Sequence, residues 1–256
     1  MPALRSITLG LLVAVLTQTA WAKHADTGQK TTPPRPVLLE LFTSQGCSDC
    51  PAADRMVTEL AGRDDVIALS LPITYWDILG WKDTFATEAN TRRQKSYAQL
   101  MNRSGIYTPQ MIIDGRIDVI GNQRDRVMQA VALRRGAVGH ETSIPILLRK
   151  ISNRIEIAIP RNAKGSKSAG TIWVMRTLAQ GSVSVGDGEN RNRQLTYTNL
   201  VRDLQRTGEW RGQAMKIDLP LNVGKLKYDG VVVILQAEDF GPVLGAAALR
   251  ISDQRS

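Results

Sequence analysis

The chain has 256 residues, of which 43% are hydrophobic and 22% charged, and this ordinary globular composition excludes wholesale disorder. The formal net charge is +9, but Lys and Arg are scattered and aromatic residues make up only 5%. We therefore expect no nucleic-acid-binding surface, because such a surface needs clustered basic and stacking side chains. Both cysteines, Cys47 and Cys50, lie in one short segment.

The N-terminus has the layout of a cleaved secretory signal, residues 1–22. Arg5 is followed by an apolar run from Ile7 to Leu16 and by the small-residue site Ala20-Trp21-Ala22. The run is too short to span a bilayer comfortably, so a membrane anchor is the weaker interpretation. We expect a periplasmic or secreted protein, without stable membrane insertion after cleavage and with a flexible leader over 23–36. Disulfides persist in such compartments.

The first packed element is predicted at Val37, where VLLELF has the length and composition of a buried strand. Pro51 suits the first turn of a helix, and apolar residues then recur at helical spacing. Cys47 would precede this helix and Cys50 would lie in its first turn. The helix macrodipole favours a thiolate at that position.

Three interpretations of the cysteine pair stay open at this point: a redox-active dithiol, an inert structural disulfide, or half of a metal site. Zinc sites use four ligands. The only histidines are His24, in the leader, and His140, far along the chain. We therefore predict no metal and no cofactor.

The remaining elements of the first half follow in order. VIALSLP, from Val66 to Pro72, predicts a strand, and a helix is expected from about Thr87 to Met101. A Thr108-Pro109 step leads into an apolar strand, which turns at Asp114-Gly115, a strong hairpin signal. A last helix should end at Gly136.

This order of elements, with Cys-X-X-Cys before the first helix and Thr-Pro before the hairpin, resembles the thioredoxin fold over residues 37–138. The resemblance implies that Thr108-Pro109 is a cis bond lying against the dithiol. It also implies that an exposed Cys47 is the attacking thiolate and Cys50 the resolving thiol. Glu40, inside the first strand, would match a buried acid that relays a proton to the second cysteine; the alternatives are solvent exposure or pairing with an Arg.

A closer resemblance is to a family of secreted bacterial thioredoxin-like proteins of unassigned function. It rests on LELFTSQGCSDCPAAD, YWDILGWKD, YTPQM and a later GEN followed by LTY. The chain departs from the thioredoxin pattern in lacking a Trp before Cys47 and in having extra length before Thr108. Both departures put the usual partner proteins in doubt.

Aromatic residues near these motifs are candidate substrate contacts, namely Trp76, Trp81 and Tyr107, because large rigid rings bind at low entropic cost. The alternative for the tryptophans is a loop that covers the core. Asp49, between the cysteines, should make Cys47 less acidic and so favour a reductase or isomerase direction.

The second half, residues 139–256, changes to short β-like segments separated by Gly- and Ser-rich turns. We predict an α/β thioredoxin-like domain followed by a mainly antiparallel β, sandwich-like domain of about seven strands with one helix within 196–208. Glu189, Asn190 and Arg191 are weak site candidates. The predicted function is an exported thiol–disulfide oxidoreductase acting on a protein or a small thiol or disulfide, with an unidentified redox partner. The alternative is a non-catalytic binding protein with a structural Cys47–Cys50 disulfide.

Overall fold

The computed structural model describes residues 35–138, 143–162, 169–237 and 240–251. The predicted signal peptide, nearly all of the leader, His24 and His140 lie outside these ranges. The α-helices are α1 (Cys50–Leu60), α2 (Glu88–Leu100) and α3 (Arg124–Val138), and a short 3₁₀ helix spans Tyr75–Leu79. The strands are β1 (Val37–Thr43), β2 (Val66–Pro72), β3 (Gln110–Ile113), β4 (Ile117–Ile120), β5 (Leu147–Ile151), β6 (Arg154–Ile159), β7 (Gly170–Ser184), β8 (Gln194–Trp210), β9 (Met215–Pro220), β10 (Gly230–Gln236) and β11 (Val243–Arg250).

Eight strands form one large sheet in the order β11-β10-β7-β8-β2-β1-β3-β4. β1 and β2 are parallel, as are β2 and β8, and the other neighbours are antiparallel. Strands from both sides of the predicted boundary at 138/139 thus share this sheet, joined where Ser70 of β2 pairs with Leu200 of β8. The protein is a mixed α/β structure with a large, mainly antiparallel sheet.

The β1 strand separates two layers of the core because successive side chains point to opposite faces. Leu38 and Phe42 belong to the cluster that includes Tyr97 of α2. Leu39 and Leu41 pack instead with the apolar faces of α1 and α3. All seven positions of β1 are buried, so a polar residue here must find its partner inside the protein.

Local sequence signals predicted several elements correctly. α1 begins at Cys50 with Pro51 in its first turn, and β2 has the predicted bounds. Thr87 caps α2 by accepting a hydrogen bond from the Asn90 amide at 3.2 Å. Asp114 and Gly115 both have positive φ in the hairpin turn, as a tight turn of this kind requires. α3, however, continues through Gly136 to Val138, so its predicted end was wrong.

The predicted helix within 196–208 is wrong, because this segment is part of the long strand β8, which pairs with β7 along its length. The positive φ of Asn199 and register shifts along the β7–β8 pairing interrupt the two-residue alternation. Buried residues therefore fall at Tyr197, Leu200 and Val201, a spacing that imitates a helix. The misleading pattern comes from bulged strand geometry.

A second sheet contains three strands in the order β5-β6-β9, all antiparallel. Its inward residues, such as Ile155 and Ile157 of β6, pack against Ile172 of β7 and Val231 and Val233 of β10. The C-terminal half is therefore sandwich-like, but one of its layers is part of the large sheet.

Candidate functional site

Cys47 and Cys50 form a disulfide at the junction of β1 and α1. The Cys47 carbonyl accepts a hydrogen bond from the Cys50 amide at 3.2 Å, which shapes the turn into the helix. Cys47 is 2% exposed and Cys50 is 0% exposed. The expectation of an exposed Cys47 was therefore wrong, and the reason is the set of segments that close over the cysteine loop, residues 44–49.

The segment after β2 holds one side of the cysteine loop. Asp83 accepts a hydrogen bond from the Gln45 amide at 2.8 Å, and the Trp81 indole donates to the Gln45 side-chain oxygen at 2.8 Å. Asp83 also accepts from the amides of Phe85 and Ala86, which fixes its carboxylate. Burial raises the pKa of Asp83, and these backbone donors offset part of the rise. Trp81 thus contacts the cysteine loop directly.

The loop between β7 and β8 holds the other side, and we call residues 188–190 the covering loop. The buried Asn190 side chain donates to the carbonyl of Gln45 at 3.0 Å and to that of Cys47 at 2.8 Å. Glu189 accepts a hydrogen bond from the Ser48 amide at 2.9 Å. Hydrogen bonding from Ser48 lowers the pKa of Glu189.

Trp81 also packs against the β7–β8 connection at the covering loop, because a Cβ on Gly188 would lie 3.6 Å from the Trp81 Cβ. A Cβ placed on Gly186 would lie 2.8 Å from the Trp81 ring, so only glycine leaves room for the indole there. The segment after β2 and the covering loop, which are distant in sequence, therefore both bind the backbone of the cysteine loop, at Gln45 and Cys47. Arg191, the third candidate of this region, is exposed.

Thr108-Pro109 is a cis peptide, as the resemblance implied. The Trp76 indole donates to the Thr108 hydroxyl at 2.8 Å, and a Cβ on Gly46 would lie 3.3 Å from the Trp76 Cβ. Trp76 therefore bridges the Thr-Pro step and the cysteine loop. A Cβ on Gly121, after β4, would lie 3.1 Å from the Pro109 Cβ and 3.3 Å from the Ala53 Cβ, so Pro109 lies near α1.

Tyr107, the third predicted substrate contact, is half-buried and hydrogen-bonded to Asp118 at 2.5 Å. Burial and this carboxylate raise the pKa of Tyr107. The ring lies in a shallow groove whose other walls include Arg103 and Arg126. The described contacts link Tyr107 to β4, while those of Trp76 and Trp81 lead to the cysteine loop.

Glu40 is not on the side of the sheet that carries α1. Its carboxylate accepts from Arg93 at 3.0 Å and from the Tyr97 hydroxyl at 2.5 Å, among the residues packed on α2. Arg93 is 1% exposed and also donates to Gln236. Three interpretations of Glu40 were open: a proton relay, solvent exposure and pairing with an Arg. The structure shows the pairing with Arg93. The sheet separates Glu40 from α1, the helix that begins at Cys50.

Sequence reasoning missed Asp54, a second buried acid, which lies on α1 four residues after Cys50. Asp54 is 3% exposed, and its Oδ1 has no hydrogen-bond partner within the described ranges. The available signal was its helical spacing from Cys50, because residues four apart share a helix face. Among the described residues, no group of three or more His, Cys, Asp or Glu side chains is placed to hold a metal ion.

Within the described ranges, none of the helices has the length and apolar character needed to cross a membrane.

A protein from Archaeoglobus fulgidus described as "Probable Thioredoxin" is 40% identical over 37 residues, which cover 14% of this chain. The matched stretch spans 41% of that relative, less than half of its length.

A crystal structure of a protein from Agrobacterium tumefaciens superimposes with a TM-score of 0.74 and is 31% identical. The match covers 88% of this chain and 98% of that one. The model of a family described as "Protein of unknown function (DUF1223)" matches residues 38–236. This range includes the cysteine loop, the Thr-Pro step and the covering loop, and the chain therefore belongs to the DUF1223 family.

Proposed function

We propose that the protein is a thiol–disulfide oxidoreductase whose N-terminal half is thioredoxin-like and whose reactive group is the Cys47–Cys50 disulfide. The observation that carries this proposal is the position of the disulfide at the start of α1, with Trp76 linking its loop to Thr108. The short match to a "Probable Thioredoxin" supports the same interpretation. The N–H groups and dipole at the start of α1 favour the anionic form of Cys47.

The exchange reaction follows from the positions of the two sulfur atoms. A substrate thiolate attacks Cys47 Sγ, the Cys47–Cys50 bond breaks, and its electron pair goes to Cys50 Sγ. A mixed disulfide between the substrate and Cys47 results. A second substrate thiol, or the reverse attack by Cys50, then resolves it. No cofactor is required, because the substrate thiol or disulfide supplies or accepts the electrons.

The burial of Cys47 makes the covering loop the gate for this reaction. Asn190 holds the Cys47 carbonyl and Glu189 holds the Ser48 amide, so a substrate sulfur reaches Cys47 when these contacts open. In the segment after β2, Ile78 is 87% and Leu79 is 63% exposed. These side chains lie between Trp76 and Trp81, and we assign them to contact with an apolar polypeptide substrate.

The second candidate function is binding without catalysis, with Cys47–Cys50 as a structural disulfide. The burial of both cysteines favours it, because catalytic cysteines sit in partly exposed positions. The two functions differ in what a single-cysteine variant does. A catalytic Cys47 forms adducts with substrate disulfides, whereas a structural cysteine stays inert.

The test uses the Cys50→Ser and Cys47→Ser variants of the chain without residues 1–22. Each is incubated with oxidised glutathione and with an apolar peptide disulfide, and adducts are identified by mass spectrometry. We expect rapid adduct formation on Cys47 in Cys50→Ser and far slower reaction of Cys50 in Cys47→Ser. Equal and negligible labelling of both variants would assign the disulfide a structural role.

Export from the cytosol is also a proposal, because the argument for export rests on the predicted signal peptide, residues 1–22. Fractionation of cells that express the full chain, compared with a chain lacking residues 1–22, tests it. We expect only the full chain outside the cytosol, in a form shortened after Ala22. Retention of both forms in the cytosol would contradict export.

A further inference from the structure

In the part of the chain that the structure describes, the two sheets end in four edge strands, β11, β4, β5 and β9. An edge strand exposes unpaired N–H and C=O groups, and natural proteins protect it with Lys, Pro or a covering segment. β5 carries Lys150, and β9 carries Lys216 and Pro220. β11 is covered by the segment before β5, because the Ile144 amide donates to the Leu244 carbonyl at 2.8 Å. The remaining edge strand is β4.

The β4 strand lacks this protection. Its sequence, IDVI, contains neither Lys nor Pro. Its one charged side chain, that of Asp118, is 3% exposed and accepts hydrogen bonds from the Tyr107 hydroxyl at 2.5 Å and the Gln110 side chain at 3.1 Å. The carboxylate is therefore turned into the protein and does not guard the edge.

The backbone of β4 has hydrogen-bonding groups that face the open edge. The Gly121 amide donates to the Pro109 carbonyl at 2.8 Å, which sets the alternation of the β3–β4 pairing. The backbone groups of Asp118 and Ile120 consequently face away from β3. The Ile120 carbonyl accepts from the Gln123 amide at 3.0 Å. Two N–H groups and the Asp118 carbonyl thus face the side on which a further strand would lie.

A groove of about 480 Å³ lies at this edge. Its walls include Arg103 and Tyr107 from the segment after α2, and Arg126 of α3. α2 and α3 pack on opposite faces of the sheet, so the groove crosses the edge from one face to the other. Ile120, which also lines it, is 41% exposed. Because side chains of a strand alternate between faces, those of an added strand would alternately meet Tyr107 with Ile120 and Arg126.

The charges of the groove select its occupant. Arg103 is paired with Asp118 at 2.9 Å, so these two charges offset each other. Arg126 is exposed and has no ion-pair partner within the described ranges. This side of the groove therefore attracts an acidic side chain, while the ring of Tyr107 and the exposed Ile120 favour an apolar one on the other side.

We propose that the open edge of β4 is a docking site for an extended polypeptide segment of alternating apolar and acidic residues, which adds a strand to the large sheet. Main-chain hydrogen bonds to β4 supply the affinity, and the side-chain contacts supply the selectivity, as in other cases of strand addition. The site uses neither cysteine. Its existence therefore does not depend on the proposed oxidoreductase function, and failure of one proposal leaves the other in place.

The first test measures binding of the peptide fluorescein-TVEVEVT-amide to the oxidised protein by fluorescence anisotropy. We expect saturable binding with a dissociation constant of about 1 mM or tighter. The peptide TVVEEVT has the same composition and charge but lacks the alternation, and TVKVKVT has the opposite charge; each should bind at least about tenfold more weakly. Equal binding of TVEVEVT and TVVEEVT would mean non-specific attraction to a basic protein and would overturn the proposal.

Arg126→Ala should weaken binding of TVEVEVT about fivefold, near the upper end of what an exposed ion pair contributes. Arg124→Ala is the matched control, because Arg124 is on the same helix but is paired with Glu59 and does not line the groove. It should stay within about twofold of the wild-type dissociation constant. Equal losses in the two variants would contradict the role of Arg126.

A second readout needs no variant of the protein. TVEVEVT is methylated at the backbone nitrogen of every Val in one peptide and of every Glu in another. N–H groups that face β4 alternate along an added strand, so one set should abolish binding and the other should preserve it. Bound TVEVEVT should also slow hydrogen exchange of the Asp118 and Ile120 amides, while the Val119 amide, which faces β3, changes little. Equal effects of the two methylated sets, or unchanged exchange at Asp118 and Ile120, would overturn strand addition at β4.

Discussion

Asn190→Ala tests whether the covering loop controls access to the disulfide. The Asn190 side chain is fully buried and joins two carbonyls of the cysteine loop, those of Gln45 and Cys47, at 3.0 and 2.8 Å. Its own side-chain oxygen accepts from Arg193 at 3.1 Å. Alanine removes all three hydrogen bonds and leaves the backbone of the covering loop in place.

The expected cost can be estimated from these contacts. A buried hydrogen bond contributes about 1 kcal/mol net, and a buried group left unpaired costs about 1–3 kcal/mol. The Cys47 carbonyl keeps its bond from the Cys50 amide, so its loss is at the lower end. We expect Asn190→Ala to lower the free energy of unfolding by about 2–4 kcal/mol. If the covering loop breaks the same contacts when it opens, the fraction of molecules with an open covering loop rises roughly 30-fold to 700-fold, since 1.4 kcal/mol corresponds to a factor of ten in an equilibrium constant.

Urea unfolding with the disulfide intact measures the loss of stability, and the rate of reduction by dithiothreitol in native buffer measures access to Cys47. Arg191→Ala is the control, because Arg191 is exposed in the next position; its unfolding free energy should stay within about 0.5 kcal/mol of wild type. If Asn190→Ala matches wild type in both assays, the covering loop does not limit access and the reasoning is refuted.

Three further predictions concern the contacts around the site. Hydrogen bonding from Ser48 lowers the pKa of Glu189 in the folded state, so its stabilisation is present above the unfolded pKa and is lost as pH falls through the folded one. Urea unfolding should show Glu189→Gln destabilising at neutral pH but not well below about pH 4, and an equal effect at both would contradict this. Gly186→Ala should cost about 1–3 kcal/mol in thermal unfolding, because the new Cβ meets the Trp81 ring at 2.8 Å; a cost that persists in a Trp81→Leu background would refute the clash. Glu40→Gln should lower the free energy of unfolding in urea by about 3–5 kcal/mol, since it leaves the buried Arg93 charge without its carboxylate partner, and a wild-type midpoint would show that the ion pair contributes nothing.

The sequence predicted best those features that a few neighbouring residues determine. Pro51 and the apolar spacing after it placed α1, and Asp114-Gly115 placed the hairpin, because backbone preferences act within one turn. The position of Cys47 and Cys50 at the strand-to-helix junction followed from the same local signals, whereas their pairing as a disulfide was one of three open interpretations. The cis Thr108-Pro109 bond required the resemblance to a known family, since most X-Pro bonds are trans.

The contacts that define the environment of the disulfide could not be predicted, because they join residues far apart in sequence. Asn190 and Cys47 are 143 positions apart, and their hydrogen bond depends on how β8 pairs beside β2. That pairing was hidden because the bulged β8 imitates a helical spacing. Glu40 likewise drew attention as a polar residue in an apolar strand, but its partner, Arg93, lies 53 positions away.

The same long-range contacts changed the chemical interpretation of the site. An exposed Cys47 was expected from its place before a helix, yet the covering loop buries it. The acid beside Cys50 was sought on β1, yet the carboxyl group on the face of Cys50 is that of Asp54, on α1. In both cases the residue type correctly marked the region of the site. The exposure of Cys47 and the position of the acid depended instead on which face of a strand or helix each residue occupies and on contacts with distant segments.

The most direct test of the central claim is the reduction potential of the Cys47–Cys50 pair, measured by equilibrating the chain without residues 1–22 in glutathione buffers. The account predicts a potential between about −270 and −120 mV, the range of known exchange catalysts. A potential well below about −300 mV would mark a structural disulfide and contradict the account.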